Sequence, residues 1–280
     1  IVSPTLLGSF ALLGIFPLIA RKIVERIRAN KVYAGWKRPR RFDRNLVVIG
    51  AGSAGLVTAY IAAAVKAKVT LVEKQRMGGD CLNTGCVPSK ALIHSARLLS
   101  HMARSQEFGI ASARAEFDFA TVMERVQSVI RAVEPHDSIE RYSALGVDVV
   151  EGSARIVSPW AVEITHKDSS IQRLSTRSMV IATGARPFVP SIPGIEEVGY
   201  LTSDTVWALR ELPKRLIVLG GGPIGSELAQ AFAELAVMLS GIQAARQPAF
   251  AWIGPVPGSV RALLLAAQVK LQEIALAEAP

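Results

Sequence analysis

A glycine-rich turn between an apolar run and a helix-like segment constrains the fold of this chain more than any other stretch. The apolar run Leu46-Val47-Val48-Ile49 leads directly into Gly50-Ala51-Gly52-Ser53-Ala54-Gly55. A helix-like segment over 56–67 and a second apolar run over 69–73 follow. Short apolar runs without alternation are typical of buried parallel strands. This order therefore predicts a strand–turn–helix–strand unit in a parallel sheet.

The residue types in this unit suit the binding of a dinucleotide. Gly50 permits a tight turn, Gly52 lets the backbone approach a pyrophosphate, and Gly55 allows the helix to pack closely on the strand. Glu73 ends the second strand, where its carboxylate can accept hydrogen bonds from both hydroxyls of an adenosine ribose. A glycine turn with a purely structural role is the alternative.

A second unit with the same glycine spacing occurs near residue 220. The apolar run 215–219 precedes Gly220-Gly221-Gly222-Pro223-Ile224-Gly225, and a helix is predicted over 226–239. Gly220, Gly222 and Gly225 repeat the spacing of the first set, and Glu227 follows them. Two units of this kind predict that the chain binds two dinucleotides.

The only two cysteines of the chain, Cys81 and Cys86, lie between these two units. In a regular α-helix they would be about 7.5 Å apart along the axis, which is too far for a sulfur bridge. Asn83-Thr84-Gly85 between them are poor helix formers, so the chain can bend there and let the two sulfurs meet. Pro88 suits the first turn of a helix that continues over 91–105.

We therefore expect the sulfur pair at a helix start, where free N–H groups and the helix dipole stabilise a thiolate and lower its pKa. Two other interpretations use the same thiols. One is half of a zinc site, although His94, His101, His136 and His166 show no ligand spacing to them. The other is a structural disulfide, although its short loop would stabilise the fold little. We predict no metal site.

The charge of the chain is concentrated in one stretch. The formal net charge is +9, but 21–44 holds ten Lys or Arg against Glu25 and Asp43, a local +8 that leaves +1 for all other residues. This distribution argues against a nucleic-acid partner and favours a membrane surface, because the basic stretch follows an apolar one.

The apolar stretch is 1–20, which carries no charge and is long enough to cross a bilayer. We predict a transmembrane helix over 1–20 and a basic juxtamembrane linker over 21–44, with the remaining chain on the cytoplasmic side. Because the sequence begins with Ile, we expect this helix to be the last span of a longer membrane part. A buried core helix is the alternative.

Further elements are predicted between the two glycine turns. An amphipathic pattern over 117–145 predicts one or two helices, interrupted near Pro135. Short strands over 147–150, 161–165 and 171–174 predict a small antiparallel meander. Met179 to Pro187 reads as another buried strand that ends in a polar turn.

The string GGDCLNTGCVPSK, residues 78–90, resembles the redox-active disulfide segment of the flavin-dependent pyridine nucleotide-disulfide oxidoreductases. This family includes dihydrolipoamide dehydrogenase, mercuric reductase and glutathione reductase, and the string is more similar to the first two. The resemblance covers 45 to about 235. It implies an α/β fold with a Rossmann-like FAD-binding domain over 45–195 and the start of a Rossmann-like NAD(P)-binding domain over 196–240.

The resemblance also implies an activity. Nicotinamide would pass hydride to FAD, and the flavin would reduce the bridge between Cys81 and Cys86. Cys86 would face the flavin, while Cys81 would exchange with a small-molecule disulfide or with a mercuric-type, thiol-reactive substrate. Lys90 would lie against the flavin ring. The cofactor-binding residues that the resemblance implies are Gly50, Gly52, Ser53, Ala54, Gly55, Glu73, Lys90, Ala154, Thr183 and Gly184 for FAD, and Gly220, Gly222, Gly225 and Glu227 for NAD or NADP.

The pattern of this family breaks after residue 235. The stretch 236–259 shows no strand with a terminal acid, so NAD and NADP cannot be distinguished. Residues 241–280 look foreign to the fold, as a shifted reading frame would produce. A homodimer is implied by the resemblance, but the interface domain is not found in the sequence. A truncated, inactive dinucleotide-binding remnant tethered to a membrane stays open as an alternative, as does a membrane transport or scaffolding fragment.

Overall fold

The computed structural model describes residues 4–239 and 250–253. The described α-helices are α1 Pro4–Val32, α2 Ser53–Ala64, α3 Gly79–Asn83, α4 Cys86–Ala103, α5 Phe119–Val133, α6 Ile139–Ala144, α7 Ile195–Val198 and α8 Pro223–Leu239. The described strands are β1 Arg44–Ile49, β2 Val69–Glu73, β3 Val147–Glu151, β4 Ser153–Ser158, β5 Ala161–Thr165, β6 Ile171–Ile181, β7 Leu216–Leu219 and β8 Phe250–Ile253. Short 3₁₀ turns cover Ser105–Phe108, Glu134–Asp137 and Val206–Ala208.

Strands β1 to β6 form one mixed sheet in the order β3-β2-β1-β6-β5-β4. The predicted strand–turn–helix–strand unit is β1–α2–β2, in which the two strands are parallel and Val48 pairs with Leu71. Val47, Val48 and Leu71 are fully buried, as expected for strands in the middle of a parallel sheet. The sheet is Rossmann-like, which confirms the predicted α/β class.

The predicted antiparallel meander has a different first strand. Residues 147–151 form β3, which pairs in parallel with β2 and so belongs to the Rossmann-like part of the sheet. The meander consists of β4, β5 and β6, joined by antiparallel pairing. The prediction for 147–150 was wrong because a short apolar run does not reveal which strand it will pair with.

Strand β6 unites two segments that the sequence predicted separately, namely 171–174 and the strand that begins at Met179. Its first half pairs with β5 in the meander, and its second half pairs in parallel with β1, with Val180 opposite Val48. The second half is not buried as predicted, since Ile181 is 67% exposed. The reason is that this half lies at an edge of the parallel part of the sheet. Among the described residues, β1 is the one strand that pairs with it.

Helices α4, α5 and α8 form the largest apolar core among the described residues. Helix α5, the 3₁₀ turn and α6 confirm the predicted interruption near Pro135. Leu92 of α4, Phe119 of α5 and Phe232 of α8 are buried in one cluster, and the rings of Phe119 and Phe232 lie 6.1 Å apart between centroids. Helix α8 follows the second glycine turn, so this core joins the second unit to the first.

The second unit consists of β7, the glycine turn and α8, and β8 pairs in parallel with β7. A strand therefore does follow α8, at Phe250–Ile253, within the predicted aberrant tail, and it does not end in an acidic residue. Two stretches of the predicted aberrant tail 241–280, namely 241–249 and 254–280, lie outside the described residues.

Helix α1 continues from the apolar stretch into the basic one, where Arg21 pairs with Glu25 at 2.8 Å. Across residues 4–239 and 250–253, no helix is both long enough and apolar enough to cross a membrane. The transmembrane helix predicted over 1–20 is therefore unsupported. The predicted interaction of the chain with a membrane is unsupported for the same reason. Residues 1–3 of that segment lie outside the described range.

Candidate functional site

The first glycine turn connects β1 to α2 by close backbone contacts. Gly50 has a φ of +102°, and a Cβ built on it would lie 2.2 Å from the carbonyl oxygen of Ala182. A Cβ on Gly55 would lie 1.8 Å from the carbonyl oxygen of Gly50. Both distances are far below a van der Waals contact, so a side chain at either position would displace the backbone. Gly50 and Gly55 thus have the turn and packing roles that were predicted for them.

Helix α2 begins without a capping side chain. Gly52 is its N-cap and makes no side-chain hydrogen bond, and the N–H of Leu56 donates to the carbonyl of Gly52 at 2.9 Å. The N–H groups of Ser53, Ala54 and Gly55 precede this bond and have no acceptor within the helix. Ser53 and Ala54 are exposed. This twelve-residue helix therefore offers open donors and a positive dipole end, which fit the pyrophosphate of FAD.

Glu73 ends β2 next to this turn. Its Oε2 accepts from the Ala51 N–H at 2.7 Å, and its Oε1 accepts from the Gln75 N–H at 2.7 Å. A carboxylate has about four acceptor positions, so further lone pairs stay open for ribose hydroxyls. The Gly152 N–H donates to the backbone carbonyl of Glu73 at 2.8 Å, which brings half-buried Ala154 of β4 to the same end of the sheet.

The segment with the two cysteines lies against this glycine turn. Gly52 and Gly78 form an isolated parallel β-bridge, and a Cβ on Gly79 would lie 2.6 Å from the Cα of Gly52. A Cβ on Gly184, which has a φ of +67°, would lie 3.4 Å from a carboxylate oxygen of Asp80. The end of β6 therefore lies beside α3.

Thr183 also lies at the first turn, because its Cα would be 3.2 Å from a Cβ built on Gly50. The structure thus brings Thr183 and Gly184 next to the glycine turn and the cysteine segment.

Cys81 and Cys86 lie on two helices with a bend between them. Cys81 is in α3 and is half-buried, while Cys86 is the first residue of α4 and is exposed. Thr84 and Gly85 between them are not helical, which confirms the predicted bend. Both cysteines are free thiols. A Cβ built on Gly85, the residue before Cys86, would lie 3.4 Å from the Cα of Cys81. The structure therefore describes a dithiol whose two cysteines lie close together on either side of a bend.

The pKa of the Cys86 thiol is raised above its ordinary value. The hydrogen bond with Cys81 is the largest cause, partial desolvation and the charge of Cys81 add to it, and the charge of Lys90 acts in the opposite direction. The expected lowering of the thiol pKa by the helix start is thus wrong for Cys86 in the dithiol. The neighbouring sulfur outweighs the helix terminus, because it stabilises the protonated thiol directly.

The second glycine turn repeats the geometry of the first. Gly220 has a φ of +101°, and a Cβ on Gly225 would lie 2.3 Å from the carbonyl oxygen of Gly220. A Cβ on Gly222 would meet nothing within 4 Å, which leaves open space at the start of α8. This turn also fits a dinucleotide pyrophosphate.

Glu227 of α8 pairs with Lys90 of α4, since Oε2 accepts from Nζ at 2.5 Å. The two residues were predicted to bind different cofactors, and the structure joins them to each other. The contact connects the helix that begins at Cys86 with the helix that follows the second glycine turn.

Two clefts lie along α4. One of about 500 Å³ is lined by Cys86, Val87, Lys90, Ala91, His94, Arg125 and Val129. The other, of about 380 Å³, lies between α4 and α8 and has Lys90 and Glu227 in its wall. Lys90 lines both clefts, and Cys86 lines the first.

The structure also identifies site residues that sequence reasoning missed. The side-chain amide of Asn83 donates to the carbonyls of Met77 and Gly79 at 3.0 and 2.8 Å, which fixes α3. The indole N–H of Trp207 donates to the carbonyl of Thr84 at 2.8 Å. Asn is favoured where a side chain must bond nearby backbone, which is a signal for Asn83. No local sequence signal predicts the contact of Trp207 with Thr84, because the two residues are 123 positions apart in the sequence.

Comparison with known proteins gives this geometry a family. The family model described as pyridine nucleotide-disulphide oxidoreductase matches residues 44–263. The chain belongs to this family. The match continues past residue 235, where the resemblance read from the sequence ended, and so includes β8.

Relatives of known name support the same family. The chain is 32% identical over 203 residues to a mercuric reductase of Bacillus cereus, covering 72% of this chain and 31% of that protein. It is 38% identical over 198 residues to a dihydrolipoyl dehydrogenase of Bacillus subtilis, covering 70% of this chain and 41% of that protein. The chain thus spans less than half the length of these relatives. Such family members use FAD and NAD(P)H.

A solved structure is also similar. The HOCl-induced flavoprotein disulfide reductase RclA from Escherichia coli superposes with a TM-score of 0.55 at 29% sequence identity, covering 68% of this chain and 40% of that one. As for the zinc alternative, the part of the chain that the structure describes contains no group of three or more His, Cys, Asp or Glu side chains that could hold a metal ion.

Proposed function

We propose that this chain is the FAD-binding part, with the beginning of the NAD(P)-binding part, of an oxidoreductase that passes electrons from NAD(P)H to a disulfide or thiol-reactive substrate. The observation that carries the proposal is the position of the dithiol: Cys81 and Cys86 lie on either side of a bend, and their segment packs against the first glycine turn. The proposed domains are 45–195 for FAD and 196–240 for the start of the nicotinamide-nucleotide domain.

In this proposal the two glycine turns hold the two cofactors. Gly50, Gly52, Ser53, Ala54 and Gly55 bind the FAD pyrophosphate through backbone N–H groups, and Glu73 accepts from the ribose. Ala154, Thr183 and Gly184 line the same site. Gly220, Gly222 and Gly225 do the same for NAD or NADP at the start of α8.

Bound FAD supplies the transfer of electrons between the nicotinamide and the sulfur pair. The chain supplies the thiols, their spacing and their protons. Cys86 and Lys90 line one cleft of about 500 Å³, and we assign both to the flavin side by the resemblance to the family. Half-buried Cys81 exchanges with the substrate.

The thiol–disulfide exchange of the reduced pair is balanced as follows. The Cys81 thiolate attacks one sulfur of the substrate disulfide, and the second substrate sulfur leaves as a thiolate that takes up a proton. Cys86 then loses its proton, attacks the mixed disulfide at Cys81 and releases the second substrate thiol. Because the pKa of Cys86 is raised in the dithiol, Cys86 keeps its proton until the first exchange has consumed the Cys81 thiol.

The substrate is proposed as a class only. Relatives are named for mercuric ion and for dihydrolipoyl groups. Mercuric ion reacts with the reduced thiol pair, whereas a dihydrolipoyl group, itself a dithiol, reacts with the disulfide form of the pair. The proposal includes a homodimer, because homodimers are usual in this family.

Reconstitution with FAD tests the proposal. The purified chain should become yellow, its flavin absorbance should bleach with NADH or NADPH, and a long-wavelength absorbance band should appear that Cys86→Ser abolishes. Ser100→Ala, a serine near the end of α4, is the matched control and should retain the band. A chain that stays colourless with FAD would instead be a dinucleotide-fold remnant without this activity.

A further inference from the structure

Trp207 hydrogen-bonds to the joint between the two thiol-bearing helices, which is Thr84-Gly85 between α3 and α4. It lies in the 3₁₀ turn Val206–Ala208 and is 5% exposed. Its indole N–H donates to the carbonyl of Thr84 at 2.8 Å and to the carbonyl of Ser203 at 2.7 Å. Thr84 lies between Cys81 and Cys86. An aromatic side chain that is distant in sequence therefore contacts the bend between the two sulfurs.

The joint also makes two backbone hydrogen bonds to neighbouring residues of α3 and α4. The Thr84 N–H donates to the carbonyl of Asp80 at 2.9 Å, and the carbonyl of Gly85 accepts from the Ser89 N–H at 3.0 Å. Both bonds belong to the helices that the joint connects. The sulfur-to-sulfur distance therefore depends on the backbone angles of Thr84 and Gly85, and the indole contact reaches this pair of residues from outside the segment.

Trp207 is itself firmly held. Its ring belongs to the buried cluster that includes Leu82 and Phe232, and its carbonyl accepts from Arg210 at 3.3 Å and from Gln127 at 3.4 Å. A carbonyl in the protein interior that loses its donor is unfavourable to leave unpaired, and the Thr84 carbonyl is partly buried. The anchored indole thus restricts the angles that the joint can adopt.

We infer that Trp207 is a positioning residue for the thiol pair: it holds the Thr84 carbonyl so that Cys81 and Cys86 stay close together and form a disulfide readily. The inference rests on the proposed function, since it assumes that the pair is redox-active. Holding two reacting groups together raises their effective concentration, which favours ring closure over the open dithiol.

The experiment compares Trp207→Phe with Trp160→Phe in the full chain. Phenylalanine keeps a ring in the core and removes the indole N–H. Trp160 is the matched control, because its ring packs on Tyr33 at 5.0 Å between centroids, away from the thiols. Each protein is equilibrated with mixtures of oxidised and reduced glutathione, and free thiols are trapped and counted by mass spectrometry. One oxidised glutathione takes two electrons and two protons from the pair and becomes two glutathione molecules.

We expect Trp207→Phe to shift the equilibrium about tenfold towards the dithiol, which corresponds to about 30 mV less negative for a two-electron couple. Trp160→Phe should leave it unchanged. The inference is overturned if a folded Trp207→Phe protein is half oxidised at the same glutathione ratio as the wild type. A wild-type chain that forms no bridge between Cys81 and Cys86 at any glutathione ratio overturns the proposed function instead.

A second measurement applies if Trp207→Phe does not fold. In wild-type protein labelled with ¹⁵N-tryptophan, the indole N–H resonance of Trp207 should move when the pair is oxidised, because the accepting carbonyl lies between the two cysteines. The resonance of Trp160 should stay in place. A Trp207 resonance that does not move on oxidation overturns the inference.

Discussion

The Lys90 ammonium lies 2.5 Å from the Glu227 carboxylate, so a residue one turn after Cys86 is paired with a residue that follows the second glycine turn. The pair joins the two glycine-turn units at the helix that begins with Cys86. It lies in the wall of a cleft, with the lysine side chain 60% and the glutamate side chain 40% exposed.

We predict that this pair contributes little to fold stability. Exposed ion pairs are typically worth about 0–1 kcal/mol, because water screens the charges. A double-mutant cycle with Lys90→Met and Glu227→Gln, measured by urea unfolding, should therefore give a coupling energy below about 1 kcal/mol. The pair of Arg131 and Glu124 has similar exposure and serves as the reference cycle. A coupling above about 3 kcal/mol would mark the pair as buried in solution and contradict the structure.

Gly55→Ala should destabilise the chain strongly. The added Cβ would lie 1.8 Å from the carbonyl oxygen of Gly50, so the helix must move away from the strand. We expect a loss of about 1–3 kcal/mol in the free energy of unfolding. Gly35→Ala is the matched control, because a Cβ there meets nothing within 4 Å, and it should change stability by less than about 0.5 kcal/mol. Equal stabilities of the two variants would refute the close helix–strand contact.

The reactivity of Cys86 should respond in opposite directions to two substitutions. Cys81 is the main cause of the raised pKa of Cys86, so Cys81→Ala should lower that pKa and speed alkylation by iodoacetamide at pH 7.5. Lys90 acts to lower the same pKa, so Lys90→Met should raise it further and slow alkylation. The measurement is the pH dependence of the Cys86 alkylation rate, followed by mass spectrometry in the reduced chain. Changes of the same sign in both variants would contradict the proposed causes.

Glu73→Gln should weaken FAD binding about tenfold. Hydrogen bonds to charged groups are worth about 1.5–3 kcal/mol, and the amide loses the charge and one acceptor oxygen. Quenching of flavin fluorescence on titration gives the affinity. Glu151 pairs with Glu73 across β2 and β3 but is bonded to Lys167 at 2.8 Å, so Glu151→Gln is the control and should retain the wild-type affinity. If both variants bind FAD equally, the ribose role of Glu73 is wrong.

The contact between Asp43 and Ser175 should make stability depend on pH. The hydroxyl and the backbone N–H of Ser175 donate to the Asp43 carboxylate at 2.7 and 2.8 Å and hold its pKa below the ordinary value. A depressed pKa in the folded state adds stability above the unfolded pKa of about 3.9, and this stability is lost as the pH falls through the folded pKa. The wild-type advantage over Ser175→Ala should thus be larger at pH 6 than near pH 2.5.

The pH dependence has its own control. Asp43→Asn keeps an acceptor oxygen but has no charge to titrate, so in that background the effect of Ser175→Ala on the urea midpoint should be the same at both pH values. A pH-dependent difference that persists with Asp43→Asn would assign the effect to another group.

The parts of the fold that follow from local sequence were predicted well. The bounds of β2 at Val69 and Glu73 match, because an apolar run that ends in a charge is a local signal. The bend at Thr84 and Gly85 was also predicted, from helix propensity alone.

Features that depend on pairing over long distances were not predicted. The sequence does not reveal that 147–151 pairs with β2 rather than with the meander, since both alternatives bury the same apolar side chains. The same holds for β8, a four-residue strand whose partner is 31 or more residues earlier in the chain, and for the bond from Trp207 to Thr84. Each was decided by tertiary contacts.

Strand β6 gives the small meander a direct influence on the cofactor end of the sheet. It is one continuous strand from Ile171 to Ile181, paired with β5 at its beginning and with β1 at its end. A slip of one residue in the pairing with β5 would shift β6 by about 3.3 Å and invert its faces, carrying Thr183 and Gly184 away from Gly50. The register of the antiparallel hairpin therefore sets how far the other end of β6 extends towards the first glycine turn.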